Sequence, residues 1–295
     1  MICLMLTGCG GGAGAPELVW GKRGVQDGEL VKPRAIAIGP GDRLYLVDMT
    51  ARIQAFDRNG RHLGVTWKPP KFSNGRPSGL GVDKAGNVIV SDSHYNCVRV
   101  YSPDGVLLRT IGGSAGTEPS QLSYVSDALC DDAGNFYISE FGENQRISKF
   151  DSAGTFVKCW GSPGSEIGQF ARIRAMTLGP DGNLYVADSC NHRIQVFTHE
   201  GEFVRTFGTA GKEPGQLSYP FDVACSTGRT PYLYVVESGN ARVQKFTLEG
   251  ESLGVWGSNG RAPGQLATPW ALAVDSRGRV HVVDTMNDRV QRIDF

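Results

Sequence analysis

Residues 179–197 read Gly-Pro-Asp-Gly-Asn-Leu-Tyr-Val-Ala-Asp-Ser-Cys-Asn-His-Arg-Ile-Gln-Val-Phe. A turn at Gly182-Asn183 feeds an apolar strand that ends in Asp188, and Arg193 precedes a second strand. The chain repeats this pattern six times. Its terminal acids are Asp48, Asp92, Glu140, Asp188, Glu237 and Asp284, spaced 44 to 49 residues apart. A period of that length is one four-stranded blade of a propeller.

Each unit divides into four short strands. The first is apolar, as in Ala271 to Val274, and follows a proline at Pro33, Pro77, Pro220 and Pro269. Turns at Gly41-Asp42, Gly86-Asn87, Gly134-Asn135 and Gly182-Asn183 supply residues that accept positive φ at low cost. The second strands, such as Leu44 to Val47, are apolar on both faces, which predicts burial between neighbouring sheets. The third strands include Ile53 to Phe56 and Ile194 to Phe197. Alternating segments such as Phe203 to Phe207 read as outer strands with one wet face.

The units resemble the NHL repeat, most closely over residues 168–208. The resemblance spans residues 17–295 and implies an all-β, six-bladed β-propeller with four antiparallel strands per blade. Function does not follow from such a fold. Departures from the pattern are Met49-Thr50-Ala51 in blade 1, Tyr95 and Cys97 in blade 2 where Asn and Arg belong, and Glu237 in blade 5. The loop leading into blade 2, residues 68–76, lacks the Gly-Gln-Leu element of residues 215–217 and 264–266. Irregular loops are where a repeat protein places specificity.

Blade 6 reaches Phe295 without an outer strand, and Leu18-Val19-Trp20-Gly21 matches Gly254-Val255-Trp256-Gly257. The N-terminal strand is therefore expected to close the ring and cover the open edge. Residues 1–16 read separately. Leu6-Thr7-Gly8-Cys9 resembles a bacterial lipobox with Cys9 as the acylated residue, and residues 10–16 form a Gly-rich tether. Met1 to Met5 is too short for the apolar core of a signal peptide, so the signal is read as truncated, with the true start upstream. The expected location is the bacterial cell envelope, lipid-anchored or secreted.

Lys+Arg and Asp+Glu are both 30, so no net field draws the chain to nucleic acid, and none is expected as a partner. Away from Cys3 and Cys9 the cysteines are Cys97, Cys130, Cys159, Cys190 and Cys225, without a CxxC pair, and are read as buried free thiols rather than zinc ligands.

The inner-strand starts should ring the channel mouth: Arg34, Ser78, Ser126, Arg174, Phe221 and Trp270, each followed by a second residue, among them Asp127 and Asp222. The lyases that resemble these repeats place zinc-binding His there, and none of these starts is His. Asp127, Arg174 and Asp222 are expected to converge as an ion pair with ionised acids; a cation on the two Asp is the alternative. His94 and His192 read as exposed loop residues. The recurring Asp and Arg of each blade are read as structural.

The reading is a monomeric, non-catalytic binding propeller without cofactor, recognising a protein, peptide or glycan through its loop face. Its contacts are Arg34, Lys68, Lys71, Arg76, Tyr95, Arg174, Phe221 and Trp270, since aromatic and Arg side chains anchor interfaces. The alternative is a propeller enzyme of lyase or lactonase type with a metal in the channel.

Overall fold

A computed structural model of the chain describes residues 14–73 and 75–295. Cys9 and the lipobox lie outside the described residues. Six antiparallel sheets of four strands each stand around a central channel, and the inner strand of each touches those of its two neighbours. Blade 4 is representative: Ile173–Leu178, Asn183–Asp188, Arg193–Thr198 and Phe203–Phe207 from channel to rim. Burial follows the sequence pattern. Val88–Asp92, Phe136–Glu140 and Leu233–Glu237 are buried at every residue, while the outer strand Ser252–Trp256 alternates.

Blade 6 comprises Ala271–Val274, Val280–Asp284, Arg289–Ile293 and, as its outer strand, Leu18–Trp20. Leu18 stands opposite Arg292 and Trp20 opposite Val290. The ring is closed as the sequence implied.

One contact recurs between blades. The outer-strand aromatic of one blade covers the αL glycine in the last turn of the next. Trp67 covers Gly105, Trp160 covers Gly201 and Phe207 covers Gly250; Trp20 covers Gly60, where a Cβ would come within 2.3 Å of the indole. Trp256 faces blade 6, which has no such turn, and its indole N–H donates instead to Gly14 O at 2.8 Å.

The recurring acids and arginines form a second device. Asp48, Glu140, Asp188, Glu237 and Asp284 are buried and pair with Arg52, Arg146, Arg193, Arg242 and Arg289 at 2.5 to 3.0 Å. Each arginine then donates to carbonyls of the loop leading into its blade, for example Arg193 to Glu166 O at 2.8 Å and Gln169 O at 2.9 Å. The loop glutamine, in Gly168-Gln169-Phe170 here, braces the same loop, Gln169 Oε1 accepting from Glu166 N–H. Blade 2 solves the problem differently. Cys97 holds the usual arginine position, and Arg99, two residues on, turns inward to pair with Asp92. Among the described residues its irregular leading loop gives Asp92 no amide donor, and Asp92 Oδ1 is buried without a partner.

The thiol expectation needs correction. Cys97 is buried, Cys130, Cys159 and Cys225 are partly buried, and Cys190 is exposed, because its 3-10 turn stands on the loop face; all five are free.

Candidate functional site at the channel mouth

The inner strands line a cavity of about 270 Å³. At one end Arg34, Arg174, Phe221 and Trp270 come together, contributed by blades 1, 4, 5 and 6. The Phe221 and Trp270 rings lie 5.8 Å apart. The Arg174 guanidinium sits 4.1 Å from the centre of Phe221 and 5.6 Å from that of Trp270, and the Arg34 guanidinium 5.1 Å from Trp270. Such stacking holds a cation over a ring face. Neither guanidinium has a hydrogen-bond acceptor among the described residues, and Arg34 Nε, Arg174 Nε and Trp270 Nε1 are buried without partners. Burial, with Arg172 and Arg34 nearby, pushes Arg174 down to about 10. The side of the mouth formed by blade 2 carries small residues, Ser78 and Gly79.

Two of the four clustered residues, Arg174 and Phe221, and both acids depend on local geometry as well as on residue type. The pairing of inner and second strands shifts register between Val125 and Asp127, between Ile173 and Met176, and between Pro220 and Asp222. Bulges re-aim side chains at barrel rims. In blade 3 the shift leaves Ser126 buried on the Ser139 hydroxyl at 2.8 Å, so Asp127 and not Ser126 lines the channel.

The expected ion pair with Arg174 does not form. Asp127 Oδ2 instead accepts from Met176 N–H of blade 4 at 2.9 Å. Asp222 Oδ2 accepts from Leu272 N–H of blade 6 at 2.9 Å and its Oδ1 from Val223 N–H at 2.8 Å. Each acid clips the neighbouring inner strand. Gly79 makes room for this, since a Cβ there would come within 2.5 Å of Asp127 Oδ1. The expectation of low pKa values is overturned too: burial raises Asp127 to about 7, and burial together with the charge of Asp127 holds Asp222 well above the usual carboxylate range. Arg174, committed to the rings, offsets this only in part.

This shift predicts a pH dependence. An acid whose folded pKa is raised binds its proton more tightly in the folded state, so its contribution is greatest below about pH 4 and is lost as pH rises towards 7. His281, lowered by burial, acts in the opposite sense, its contribution being lost as pH falls through the ordinary histidine range. The comparison with Asp127→Asn isolates the acid, because the amide oxygen can still accept from Met176 N–H. Relative to wild type, Asp127→Asn should gain about 1–3 kcal/mol between pH 5 and pH 8 in urea unfolding. A difference that stays constant with pH contradicts the assignment. Asp127→Ala strands the Met176 amide and should cost about 1–3 kcal/mol near pH 5 and less at pH 8, since it too lacks the titrating acid.

The remaining predicted contacts lie elsewhere. Arg76 is near Arg34 and lowers its pKa after burial does, while its own Nε donates to Met49 O at 2.8 Å. Lys68 and Lys71 are exposed on the loop leading into blade 2, Lys68 lying 4.9 Å over Phe72. Tyr95 stacks on Arg99 at 5.5 Å and so supports the blade 2 ion pair. His94 packs on Gly75, and His192 Nδ1 accepts from Tyr219 N–H at 3.1 Å. Among the described residues no three His, Cys, Asp or Glu converge as a metal site.

Sequence reasoning missed an arc of loop-face residues over blades 3 to 5. Tyr124 and Tyr219 are 49% and 45% exposed, Tyr124 lies 5.3 Å from Phe141, Arg172 lies 5.6 Å over Phe141, and His192 lies 4.6 Å from Tyr219. Lys32, Tyr124, Arg172, Tyr219 and Thr268 share one repeat position with positive φ. The amides of the first four are held across the blade gap, as in Tyr124 N–H to Asn96 Oδ1 at 2.9 Å and Arg172 N–H to Gln145 Oε1 at 2.7 Å. The signal was present: each stands two residues after the Leu or Phe that follows the loop Gln or Glu.

The NHL repeat pattern matches residues 74–101 and 170–197, in blades 2 and 4. The chain carries NHL repeats. Its fold is similar to a streptogramin B lyase structure, with TM-score 0.64, 16% identity and coverage of 88% of this chain and 92% of that one. Virginiamycin B lyase from Staphylococcus aureus is similar with TM-score 0.63, 16% identity and coverage of 89% and 95%. The WD40 propeller domain of Doa1 gives TM-score 0.60, 14% identity and coverage of 88% and 78%. Enzymes and a WD40 propeller thus share the NHL-repeat chain's architecture, and at these identities the likeness concerns fold alone.

Proposed function

We propose that this NHL-repeat propeller is a binding module of the bacterial envelope that receives a protein, peptide or glycan on its loop face, without catalysis. The observation that carries the reading is the cluster of Arg34, Arg174, Phe221 and Trp270, in which two half-buried guanidinium groups are stacked on rings and their Nε atoms are buried without partners among the described residues. Desolvated cations without partners are costly unless a ligand completes them. Acylation of Cys9 would anchor the domain, several chains holding it better than one. The immobilised chain should capture a discrete species from envelope extracts. Arg34→Ala combined with Trp270→Ala should reduce capture at least about tenfold with the fold intact, as anchor residues do. Undiminished capture by that variant counts against the loop face. Alkyne fatty acid fed to cells should label the wild type and not Cys9→Ser; equal labelling removes the anchor.

One observation favours the enzyme reading. Asp127, raised to about 7, is able to exchange a proton at neutral pH. Consumption of a streptogramin such as quinupristin, abolished in Asp127→Asn, would establish that activity.

A further inference from the structure

We propose that the channel mouth binds the α-ammonium end of an amino acid or peptide, with the ammonium on Asp127 and Asp222 and the adjoining carbonyl or carboxylate oxygen on Arg34 and Arg174. This rests on the loop-face binding reading and names its ligand chemistry.

The geometry supplies two layers. Arg34, Arg174 and Trp270 offer donors at the mouth, and Asp127 and Asp222 offer acceptors in the same cavity. Each acid falls one position deeper along its inner strand than the mouth residues, a rise of about 3.3 Å. An α-amino group and the carbonyl oxygen of its own residue are separated by a similar distance, so one small end group spans both layers. The cavity, about 270 Å³, has room for such a group.

Other ligand chemistries fit less well. A bare anion satisfies the arginines and then meets two carboxylates. A divalent cation finds two acids whose oxygens already accept Met176, Leu272 and Val223 amides, and no third protein ligand among the described residues. An ammonium needs only hydrogen-bond acceptors, and each carboxylate oxygen has a lone pair beyond the one its amide takes. Arg174 makes no ion pair with either acid, so its donors remain for the ligand oxygen. Burial leaves the two acids inclined to hold protons, which an arriving ammonium would displace.

The test is calorimetric titration of the full chain near pH 6, in buffers of different ionisation enthalpy, with L-alanine, L-alaninamide, dialanine and the N-acetylated forms of alanine and dialanine. The compounds with free ammonium groups are expected to bind with proton release, and acetylation should weaken binding at least about tenfold, the loss of a charge-assisted contact. Alanine tighter than dialanine identifies the free amino acid as the source; the reverse identifies a peptide end. Asp127→Asn and Arg34→Ala should each weaken alanine or dialanine by about tenfold, but the acetylation comparison on wild type decides even if a variant fails to fold. Equal binding of acetylated and free forms, or no binding of any compound at about 10 mM, overturns the inference. If none binds while envelope capture still depends on Trp270, this inference falls and the binding reading stands. If alanine binds and capture is absent, the ammonium site stands and the macromolecular partner falls.

Discussion

Removing residues 1–21 should destabilise the propeller by about 3–5 kcal/mol, the scale of losing a buried tryptophan together with its strand. Trp20 is 8% exposed, lies 4.9 Å from Phe56 and covers Gly60 of blade 1. Glu17 N–H donates to Arg292 O at 2.9 Å, and the Glu17 carboxylate meets Arg292 Nε at 3.1 Å. Truncation strips all of this and leaves Arg289–Ile293 as an open edge, the kind of strand that recruits other chains. Urea unfolding should show a lower midpoint, and size-exclusion chromatography should show association. Trp20→Ala in the full chain isolates the side chain and should cost about 3 kcal/mol while leaving the protein monomeric. A truncated chain whose midpoint matches the full one would mean that the edge contributes nothing.

Much of this was legible because a repeat shows its own alignment. The spacing of Asp48 to Asp284 gave blade number, the missing last outer strand and the match of Leu18-Val19-Trp20 to outer strands gave closure, and the inner-strand starts put Arg34, Arg174, Phe221 and Trp270 at the channel mouth, though not as one cluster. What remained hidden depends on geometry without a residue signature. The register shifts at Val125/Asp127 and Pro220/Asp222 decide which side chains enter the channel. Whether Arg174 meets an acid or a ring depends on angles that no spacing encodes; the rings won, and the acids turned to backbone amides. The consequence for chemistry is a reversal of sign, from acids expected to ionise early to acids that keep their protons to higher pH.

That reversal sharpens the contrast between the two kinds of acid in this chain. The channel acids make no ion pair among the described residues, whereas the six blade acids are bound to arginines. Glu237 is fully buried and accepts from Ser218 N–H at 2.8 Å, Asn240 Nδ2 at 2.6 Å, Arg242 Nε at 2.5 Å and Gln244 Nε2 at 2.8 Å. The first group is the candidate for ligand chemistry, because every member of the second is already paired with an arginine.

Glu237→Ala should cost about 3–5 kcal/mol, since it leaves Arg242 buried with its charge uncompensated and strands the Ser218 amide. Blade 2 provides the internal check. Arg99 occupies the position that Gln54, Gln195, Gln244 and Gln291 hold in other blades, and it replaces the cation absent at Cys97. Arg99→Gln alone should therefore destabilise by a similar amount, because Asp92 would be left buried without a cation. Cys97→Arg combined with Arg99→Gln rebuilds the pattern of the other blades around Asp92. It should recover part of the loss and not all of it, for the loop of residues 68–76 lacks the Gly-Gln-Leu carbonyls that receive arginine elsewhere. Guanidinium unfolding of the three variants measures the coupling directly. If Arg99→Gln unfolds with the wild-type midpoint, the arginine is not what stabilises Asp92; if the double variant is no better than Arg99→Gln, the two positions are not interchangeable sources of the same charge.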